Sequence, residues 1–251
     1  MNKVALITGG SRGLGRAGAE HLAAHGTGVI VTYRTGKKEA EEVVQRVRAQ
    51  GQKGASLQLD VGDVKSFDTF ARNFSSVLQE EFGRSSFDYL VNNAGQGVYA
   101  AFADTKEDDF DALMNVHFKG VFFLTQKLLP LIESGGRILN VSTGLTRFSL
   151  PGYSAYAAMK GAIEVLTHYL AKELGERRIA VNTLAPGGVA TDFGGGAMRD
   201  NADVARFVAS VTALGRVGQP DDIGALIASL LSDDSRWLNS QRIEASGGMF
   251  V

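Results

Sequence analysis

Short runs rich in valine, isoleucine and leucine alternate with longer amphipathic stretches along the whole 251-residue chain. The short runs show little of the apolar–polar alternation of a strand with one face in water, so they are typical of strands covered on both faces. Strands are buried in this way in parallel sheets, because helices cross over both faces. The runs that predict strands are 4–8, 28–32, 56–59, 89–92, 137–142, 180–184 and 241–244.

The amphipathic stretches between these runs predict the helices of a βαβ succession. They are 13–25, 37–50, 64–82, 108–132, 154–176 and 221–231. The expected fold class is therefore α/β, with a doubly wound parallel sheet between two layers of helices. No linker divides the chain, so we expect one domain over residues 1–251. Glycine clusters and weak periodicity within 187–203 predict a mobile substrate loop near 187–212.

The composition narrows the class of protein and its surroundings. A net charge of −1 gives the chain no overall attraction to nucleic acid or to a membrane surface. The sequence contains no cysteine, which excludes disulfides and thiolate chemistry and suits a reducing compartment. The first apolar run is too short for a signal peptide, and no later run approaches the ~20 residues of a membrane span. We therefore expect a cytoplasmic protein that binds neither nucleic acid nor membrane.

A glycine-rich turn directly follows the first predicted strand and reads TGGSRGLG over residues 8–15. Glycines allow the backbone to approach a phosphate closely, and the N–H groups at the start of the next helix attract negative charge. The spacing differs from the G-x-G-x-x-G dinucleotide fingerprint. Its place between a strand and a helix nevertheless predicts a nucleotide site, the alternative being a plain strand-to-helix turn.

The end of the second predicted strand carries cations where a carboxylate would favour NAD. Arg34 lies there, Lys37 and Lys38 follow, and no acid occurs before Glu39. An arginine can hold a ribose 2′-phosphate through two hydrogen bonds, whereas a carboxylate would repel that phosphate. Arg12 in the glycine turn adds a second cation, so the sequence predicts NADP(H) as the cofactor. The alternative is that these cations form the solvated start of a helix.

Tyr156 and Lys160 open a long helical stretch and lie four residues apart, which places both side chains on one helix face. The pKa of a free tyrosine, about 10, is too high for easy proton exchange at neutral pH. A neighbouring ammonium group and an oxidised nicotinamide would stabilise the phenolate and lower that pKa. Tyr156 could then act as a general acid in reduction and a general base in oxidation. The alternative for so short a motif is an ordinary surface pair.

Further motifs follow the predicted strands in a fixed order. They are Asp60-Val61, Asn92-Asn93-Ala94-Gly95, Asn115 in NVHFKG, YAAMK at 156–160, PGGVAT at 186–191, LGRVGQPDDIG at 214–224 and the terminal SGGMF. Together with TGGSRGLG they make the chain similar to the short-chain dehydrogenase/reductase family from end to end. The resemblance implies a three-layer Rossmann fold with a seven-stranded sheet of order 3-2-1-4-5-6-7. It also implies an oxidoreductase that moves hydride between NADP(H) and a carbonyl/alcohol pair.

The resemblance assigns roles to the matching residues. Tyr156 would be the acid/base, and Lys160 would bind the nicotinamide ribose and lower the pKa of Tyr156. Asn115 would interrupt its helix and hold a water in a proton relay with Lys160. The catalytic residues expected are Asn115, Thr143, Ser142, Tyr156 and Lys160. The residues expected to bind the cofactor are Gly9, Ser11, Arg12, Gly13, Leu14, Gly15, Tyr33, Arg34, Asp60, Val61, Asn92, Ala94, Gly95, Tyr156, Lys160, Pro186, Gly187, Val189 and Thr191.

The chain departs from the family pattern at the catalytic serine, which the family places thirteen residues before its tyrosine. Thr143 occupies that position and Ser142 precedes it. Neighbouring residues on a strand point to opposite faces, so the two hydroxyls cannot share the role. Thr143 keeps a hydroxyl that can donate to a substrate oxygen, and we favour it over Ser142.

The expected substrate is a small-molecule carbonyl or acyl thioester, because the segments 96–99, 145–153 and 187–211 should wall an apolar pocket. The side chains expected there are Val98, Tyr99, Leu145, Phe148, Leu150, Tyr153, Phe193 and Met198. The chain looks most like bacterial 3-oxoacyl-ACP reductases, which hold an acidic carrier protein with basic residues at the mouth of the site. Glu133 stands where a cation would be expected, although Arg177 and Arg178 could serve.

Two other functions stay open at this point. A small-ketone or alcohol dehydrogenase is nearly as good an interpretation as a 3-oxoacyl (ACP or CoA) reductase. A noncatalytic NADP(H)-binding regulator is a further alternative, because a fold does not fix a function. We expect no metal ion, since His21 and His25 have no third ligand in sight. The resemblance also implies a homotetramer, and the sequence does not separate this from a homodimer.

Overall fold

A computed structural model describes residues 3–251 as a seven-stranded sheet with helices on both faces. The strands are β1 (Val4–Ile7), β2 (Gly28–Tyr33), β3 (Gly54–Gln58), β4 (Phe87–Asn92), β5 (Ile132–Val141), β6 (Ala180–Pro186) and β7 (Arg242–Ala245). All neighbouring strands pair in parallel, in the order β3-β2-β1-β4-β5-β6-β7. This confirms the expected Rossmann architecture and strand order.

The helices connect successive strands across the faces of the sheet. They are α1 (Gly13–Ala24), α2 (Lys37–Ala49), α3 (Phe67–Val77), α4 (Glu107–Met114), α5 (Gly120–Leu128), α6 (Ser154–Glu173), α7 (Ala197–Asp200), α8 (Ala202–Ser210) and α9 (Pro220–Leu231). Within residues 3–251, none of these helices has both the length and the apolar character that a bilayer span requires.

Two apolar layers fill the space between the sheet and its helices. On one face the layer includes Phe74 of α3, which meets the ring of Phe87 edge-on at a centroid distance of 4.9 Å. On the other face α1 and α9 pack closely, since a Cβ on Gly224 would lie within 2.8 Å of the Cβ of Ala17. The burial of both faces explains why the strands read as uninterrupted apolar runs.

The direction of chain winding reverses beside β1, which pairs with β2 on one side and with β4 on the other. Ala5, for example, lies opposite Val29 of β2 and opposite Tyr89 of β4. In open α/β sheets the loops at the carboxyl ends of two such strands run in opposite directions and leave a crevice, where ligands bind. The functional site is therefore expected just beyond Ile7 and Asn92.

Two of the predicted helices are interrupted. Residues 64–82 form a 3₁₀ turn, α3 and a terminal π turn, and residues 108–132 form α4, a π turn over Asn115–Lys119 and α5. The extra residue of the π turn lets Gly120 approach the segment that follows β3. A Cβ on Gly120 would clash there with the carbonyl oxygen of Val61. Apolar periodicity alone does not reveal such an insertion, because both helix segments keep an apolar face.

The segment 187–212, predicted as a mobile substrate loop, carries short helical elements. It contains a 3₁₀ turn at Phe193–Gly196 and the two helices α7 and α8. Asn201 caps α8 by accepting hydrogen bonds from the N–H groups of Asp203 and Val204. The three successive glycines before α7 all have positive φ. Such a glycine run is typical of a loop, so the sequence did not predict the two short helices that follow it.

Candidate active site

The glycine turn after β1 is clamped to the segment that follows β4. The Thr8 hydroxyl accepts hydrogen bonds from the backbone N–H groups of Asn93 and Ala94, both at 3.0 Å. The Asn93 side chain donates in return to the carbonyl of Thr8 at 2.9 Å and to that of Gly9 at 3.1 Å. These four bonds fix the two sides of the crevice relative to each other.

Two glycines of this turn leave no space for a side chain. Gly9 has a φ of +63°, and a Cβ there would lie 2.8 Å from the Cα of Ala94. A Cβ on Gly15 would lie 2.5 Å from the Nδ2 of Asn93. The glycine turn therefore packs directly against the segment that follows β4. Helix α1 begins immediately after the turn, and its first turn contains no acidic residue. A helix start of this kind attracts a phosphate group.

Cations, and not carboxylates, lie at the carboxyl end of β2. Arg34 is exposed directly after the strand. The side chain of Arg12 is 72% exposed and lies 3.8 Å from Asp192. The first acid after β2, Glu39, lies in the first turn of α2, where its carboxylate is beside Gly36. The end of the strand is therefore open to a phosphorylated ribose.

The remaining residues predicted to bind a dinucleotide line the same edge. Tyr33 ends β2, Asp60 and Val61 lie just beyond β3, and the segment after β6 reaches the glycine turn. Thr191 of that segment lies 3.5 Å from the position that a Cβ on Gly13 would take. The residues present fit a dinucleotide laid across the crevice.

Asn92 differs from this expectation, since its side chain points into the core. Its Nδ2 donates to Thr125 at 3.1 Å and to the Oδ1 of Asn140 at 2.8 Å. The Nδ2 of Asn140 in turn donates a hydrogen bond to the hydroxyl of Thr167 at 2.9 Å. The side chain of Asn92 thus belongs to a buried polar ladder beneath the crevice.

Tyr156 lies in the first turn of α6 and is buried against the carboxyl end of β5. Burial raises the pKa of its phenol, because the phenolate loses solvation. A hydrogen bond with the Thr143 hydroxyl acts in the opposite direction and lowers that pKa. In the protein without ligand the phenol is therefore protonated, and it is next to a hydroxyl group.

Lys160 lies one turn later on the same face of α6, as the four-residue spacing predicted. Its Nζ is 5.8 Å from the centroid of the Tyr156 ring and donates to the carbonyl of Val141 at 2.7 Å. The side chain is buried, and the loss of hydration lowers the pKa of its ammonium group to about 8. A buried ammonium group with one carbonyl partner can bind a further acceptor, such as a ribose hydroxyl.

The two candidate hydroxyls after β5 point in different directions. Thr143 contacts Tyr156, and its Oγ1 also accepts from the N–H of Leu145 at 3.3 Å. Ser142 instead donates to the carboxylate of Glu164, further along α6, at 2.7 Å. Both hydroxyls thus meet α6, and Thr143 is the one that contacts Tyr156.

The carboxylate that holds Ser142 is part of a polar network behind the site. Glu164 also accepts from Thr146 at 2.7 Å and from Arg242 of β7 at 3.0 Å. The same arginine donates to the carbonyl of Thr143 at 3.3 Å. This network fixes α6 to the strand ends, and Ser142 serves it as a structural donor.

Asn115 stays a predicted member of the proton relay with Lys160. It does begin the π turn, so the predicted interruption of the helix is present. Its side chain makes no hydrogen bond within residues 3–251. The side chain of Asn115 is half-buried.

His117 is the residue of the π turn that faces Tyr156, and sequence reasoning missed it. The two rings meet edge to face at a centroid distance of 5.1 Å. His117 is 1% exposed, and its Nε2 lies 2.6 Å from the carbonyl of Gln96. Burial, reinforced by the charge of Lys160, lowers the pKa of His117 to about 3. The available signal was its place four residues after the buried Leu113, on the core side of the helix.

Aromatic side chains cover the open side of the cluster. Phe193 lies over Tyr156 with its ring centroid 5.6 Å away, and Tyr99 meets Tyr153 at 5.3 Å. Val98 and Leu145 also pack near Tyr156. The predicted apolar wall is thus largely in place, except that Phe148 turns away to pack on Phe250 at 4.8 Å.

Glu133 and Arg177, which were considered as contacts for a carrier protein, lie near the amino ends of β5 and β6, away from the carboxyl ends that carry the site. Glu133 is at the start of β5, at the end of the strand opposite Thr143 and Tyr156. There it accepts from Ser86 at 2.5 Å. Arg177, before β6, donates to the carbonyls of Leu129 and Ile132. Neither residue is at the mouth of the site, so they say nothing about its partner.

Comparison with known proteins agrees with this geometry. The family profile described as enoyl-(acyl carrier protein) reductase matches residues 9–250. The chain belongs to the short-chain dehydrogenase/reductase family of oxidoreductases.

Three relatives show how close this similarity is. An uncharacterized oxidoreductase of Methylorubrum extorquens is 37% identical, over 98% of this chain and 97% of its own. The hydroxynaphthalene reductase-like protein Arp2 of Metarhizium majus is 34% identical, over 98% and 94%. The crystal structure of the angucycline C-6 ketoreductase LanV with bound NADP is 37% identical, covers 99% of this chain and 95% of its own, and superimposes with a TM-score of 0.94.

The positions of Thr143 and Ser142 predict unequal effects on turnover. Thr143→Val should lower kcat about 100-fold, because it removes a hydroxyl aimed at the place where charge develops on a carbonyl oxygen. Ser142→Ala should lower kcat by no more than about threefold, since it removes one hydrogen bond to Glu164. Steady-state kinetics on both variants would check this, and the reverse ranking would reassign the hydroxyl.

Proposed function

We propose that the chain is an NADP(H)-dependent ketoreductase. The observation that carries the proposal is the buried cluster of Thr143, Tyr156 and Lys160, which lies at the same sheet edge as the glycine turn. A noncatalytic regulator would need the turn alone, and it would have no use for a buried phenol paired with a hydroxyl.

Each member of the cluster has one task in this proposal. The Thr143 hydroxyl donates a hydrogen bond to the carbonyl oxygen and holds it beside the phenol. Tyr156 transfers its proton to that oxygen, and Lys160 stabilises the phenolate that remains. NADPH, held by the glycine turn and the cations after β2, supplies the hydride when it is bound.

NADP(H) is the proposed cofactor because Arg34 directly follows β2 with Arg12 in the glycine turn, and the first acid after the strand, Glu39, comes only within α2. A guanidinium group pairs with a phosphate through two charge-assisted hydrogen bonds. LanV, which has the same fold at a TM-score of 0.94, was crystallised with NADP. Both observations support a preference for the 2′-phosphorylated cofactor.

The proposed substrate is a flat, fused-ring aromatic ketone. Phe193, Tyr99 and Tyr153 lie around Tyr156 and offer ring faces and edges to such a molecule. Two relatives have names that refer to a hydroxynaphthalene and to an angucycline. The segment 187–212, which carries Phe193, would close over the bound ring system.

A 3-oxoacyl thioester is the second candidate, because the matching family profile is described by an acyl-carrier-protein reductase. A thioester would need room for a long pantetheine arm at the same opening. Arg177, considered as a contact for an acidic carrier, lies away from this opening, so we rank this substrate second, with small ketones and alcohols as further candidates.

We also propose that the chain assembles into a homo-oligomer, either a dimer or a tetramer. Phe122 and Phe123 of α5 and Val165 and Tyr169 of α6 are exposed on neighbouring helices. Large exposed apolar groups that cluster in this way mark association surfaces.

The central test is a panel of carbonyl compounds with NADPH. The panel contains a fused-ring aromatic ketone, acetoacetyl thioesters, 2-alkanones and simple diketones, and the rate is followed by NADPH absorbance. We expect kcat/KM to be highest for the fused-ring ketone, and Tyr156→Phe to lower kcat about 1000-fold because the proton donor is lost.

NADPH binding to Tyr156→Phe, followed by fluorescence, serves as the control for folding. Inactivity of the wild-type protein toward every carbonyl, together with tight NADPH binding, would favour the regulator. Near-normal turnover of Tyr156→Phe would refute the proposed proton donor.

The cofactor choice can be tested at Arg34. Arg34→Asp should lower the ratio of kcat/KM with NADPH to kcat/KM with NADH about 100-fold, because a charge-assisted pair is replaced by repulsion. Arg72→Asp, on the exposed surface of α3, is the matched control and should leave the ratio unchanged. An unchanged ratio in Arg34→Asp would contradict the assignment.

A further inference from the structure

We propose that Arg242 of β7 is a positioning residue for the reaction: it holds the backbone carbonyl of Thr143 and so aims the Thr143 hydroxyl at Tyr156 and at the substrate oxygen. The inference rests on the proposed reductase function, because it deepens the part that Thr143 plays there. Arg242 acts through the main chain of Thr143 and needs no contact of its own with the substrate or the cofactor.

The main chain beside the Thr143 hydroxyl has little restraint of its own. Thr143 lies two residues beyond the end of β5, outside the regular pairing of the sheet. Gly144 follows, and a Cβ there would lie 2.8 Å from the Cε1 atom of Phe148. Packing therefore requires glycine at this position, and glycine restrains the backbone least. A change of dihedral angles here would carry the Thr143 hydroxyl away from Tyr156.

The carbonyl oxygen of Thr143 is bound from the end of β7, two strands away from β5. The Nη2 of Arg242 donates to this oxygen at 3.3 Å, and the hydroxyl of Thr146 lies 3.0 Å from it. The same Nη2 donates to the Thr146 hydroxyl at 3.0 Å. The guanidinium group thus holds the Thr143 carbonyl directly and also through Thr146.

Two carboxylates fix the guanidinium group in turn. Its Nε donates to Glu164 of α6 at 3.0 Å, and its Nη1 donates to Glu244 of β7 at 2.9 Å. Glu244 is itself held by Arg147, which donates to both carboxylate oxygens, at 2.7 and 2.6 Å. A planar group whose three nitrogens are all engaged, each toward different partners, is restricted to one orientation. Arg242 is therefore a rigid support for the Thr143 peptide.

The charged character of this network favours a role beyond stability. Only 24% of the Arg242 side chain and 17% of the Glu164 side chain are exposed. Removing such charges from water costs about as much as their mutual attraction returns, so an apolar cluster of the same volume would serve stability equally well. An ionic network adds a defined orientation, and this network lies directly behind the hydroxyl that contacts Tyr156.

The Thr143 hydroxyl keeps its hydrogen available for donation. Its Oγ1 accepts from the N–H of Leu145 at 3.3 Å, so the hydroxyl hydrogen can point elsewhere. Burial raises the pKa of Tyr156, and the hydrogen bond from Thr143 opposes that rise. Loss of the Arg242 contact should release the Thr143 peptide and weaken this bond, so the pKa of Tyr156 should rise further.

The pKa of Tyr156 reports on this positioning, because the supporting charges persist over the working pH range. Arg242 stays protonated, and hydrogen bonds from Arg147 hold the pKa of Glu244 at about 2. The titratable groups that face the phenol are Lys160, Tyr153 and His117. A variant at position 242 leaves all three of them in place.

The kinetic test is carbonyl reduction with NADPH. Arg242→Met should lower kcat about 20-fold, with KM for the ketone changed by less than about threefold, because orientation is lost and the pocket is kept. Arg242→Lys keeps the charge without the planar fork and should lower kcat about fivefold. Arg177→Met is the matched control, since Arg177 is also half-buried and donates to two backbone carbonyls far from the site. Its kcat should stay within about twofold of the wild-type value.

A double variant separates positioning from general damage to the fold. If Arg242 acts through the Thr143 hydroxyl, Arg242→Met combined with Thr143→Val should be no more than about twofold slower than Thr143→Val alone. Losses that multiply to about 2000-fold would overturn the proposal, because the two residues would then act independently. A normal kcat in Arg242→Met would overturn it as well.

Two NMR measurements need no substrate. Three-bond couplings from the Thr143 methyl carbon to the backbone report its χ1 angle, and they should show one rotamer in the wild-type protein and averaging in both Arg242 variants. In protein saturated with NADP⁺, both variants should raise the pKa of Tyr156 by about one pH unit. Arg242→Lys keeps the positive charge, so a rise in that variant reflects the weakened hydrogen bond.

Unchanged couplings of Thr143 in both variants would overturn the proposal. If Arg242→Met does not fold, Arg242→Lys decides alone, and wild-type kcat together with wild-type couplings in that variant would contradict the role of Arg242. If the wild-type protein reduced no carbonyl, the proposed function would fail, while the Thr143 couplings would still judge whether Arg242 positions this side chain.

Discussion

The burial of the Lys160 ammonium group determines how the site is built. A buried charge is costly unless it is paired, and Lys160 has one backbone partner, the Val141 carbonyl at 2.7 Å. That bond fixes the register of α6 against the end of β5, and Glu164 strengthens it by accepting from Ser142 on the same strand. Tyr156, one turn before Lys160, is thereby held at the carboxyl edge of the sheet. Because a single carbonyl compensates the charge of the Lys160 ammonium group only weakly, this group remains available to a ligand hydroxyl.

The same burial has an opposite effect on the phenol. The pKa of Tyr156 is raised and that of Lys160 is lowered, since each group loses the water that stabilised its charged form. The protein without ligand therefore holds a protonated phenol, which suits a proton donor in carbonyl reduction. The reverse direction needs a phenolate, and it becomes accessible only when positive charge enters the crevice.

The apolar runs predicted the seven strands, and the four-residue helical repeat predicted that Tyr156 and Lys160 share a face, whereas the sheet order was implied by the family resemblance. The preference for Thr143 over Ser142 also came from the resemblance, through its place thirteen residues before Tyr156. The assignment of Asn115 depended on its place in a motif and stays a prediction. A one-residue insertion leaves the apolar pattern intact, so only the structure shows His117 at the tyrosine. The helices α7 and α8 were missed because glycines with positive φ precede them.

The most direct test of this account is the pKa of Tyr156 itself, measured by NMR of carbon-13 at the tyrosine ζ position, with Tyr156→Phe used to assign the signal. In the free protein the pKa should lie above the ordinary value of 10.0, because the phenol is buried. Saturation with NADP⁺ should lower it by at least about two units, since an added positive charge near a buried group stabilises the anion. A pKa that is the same with and without NADP⁺ would contradict the account.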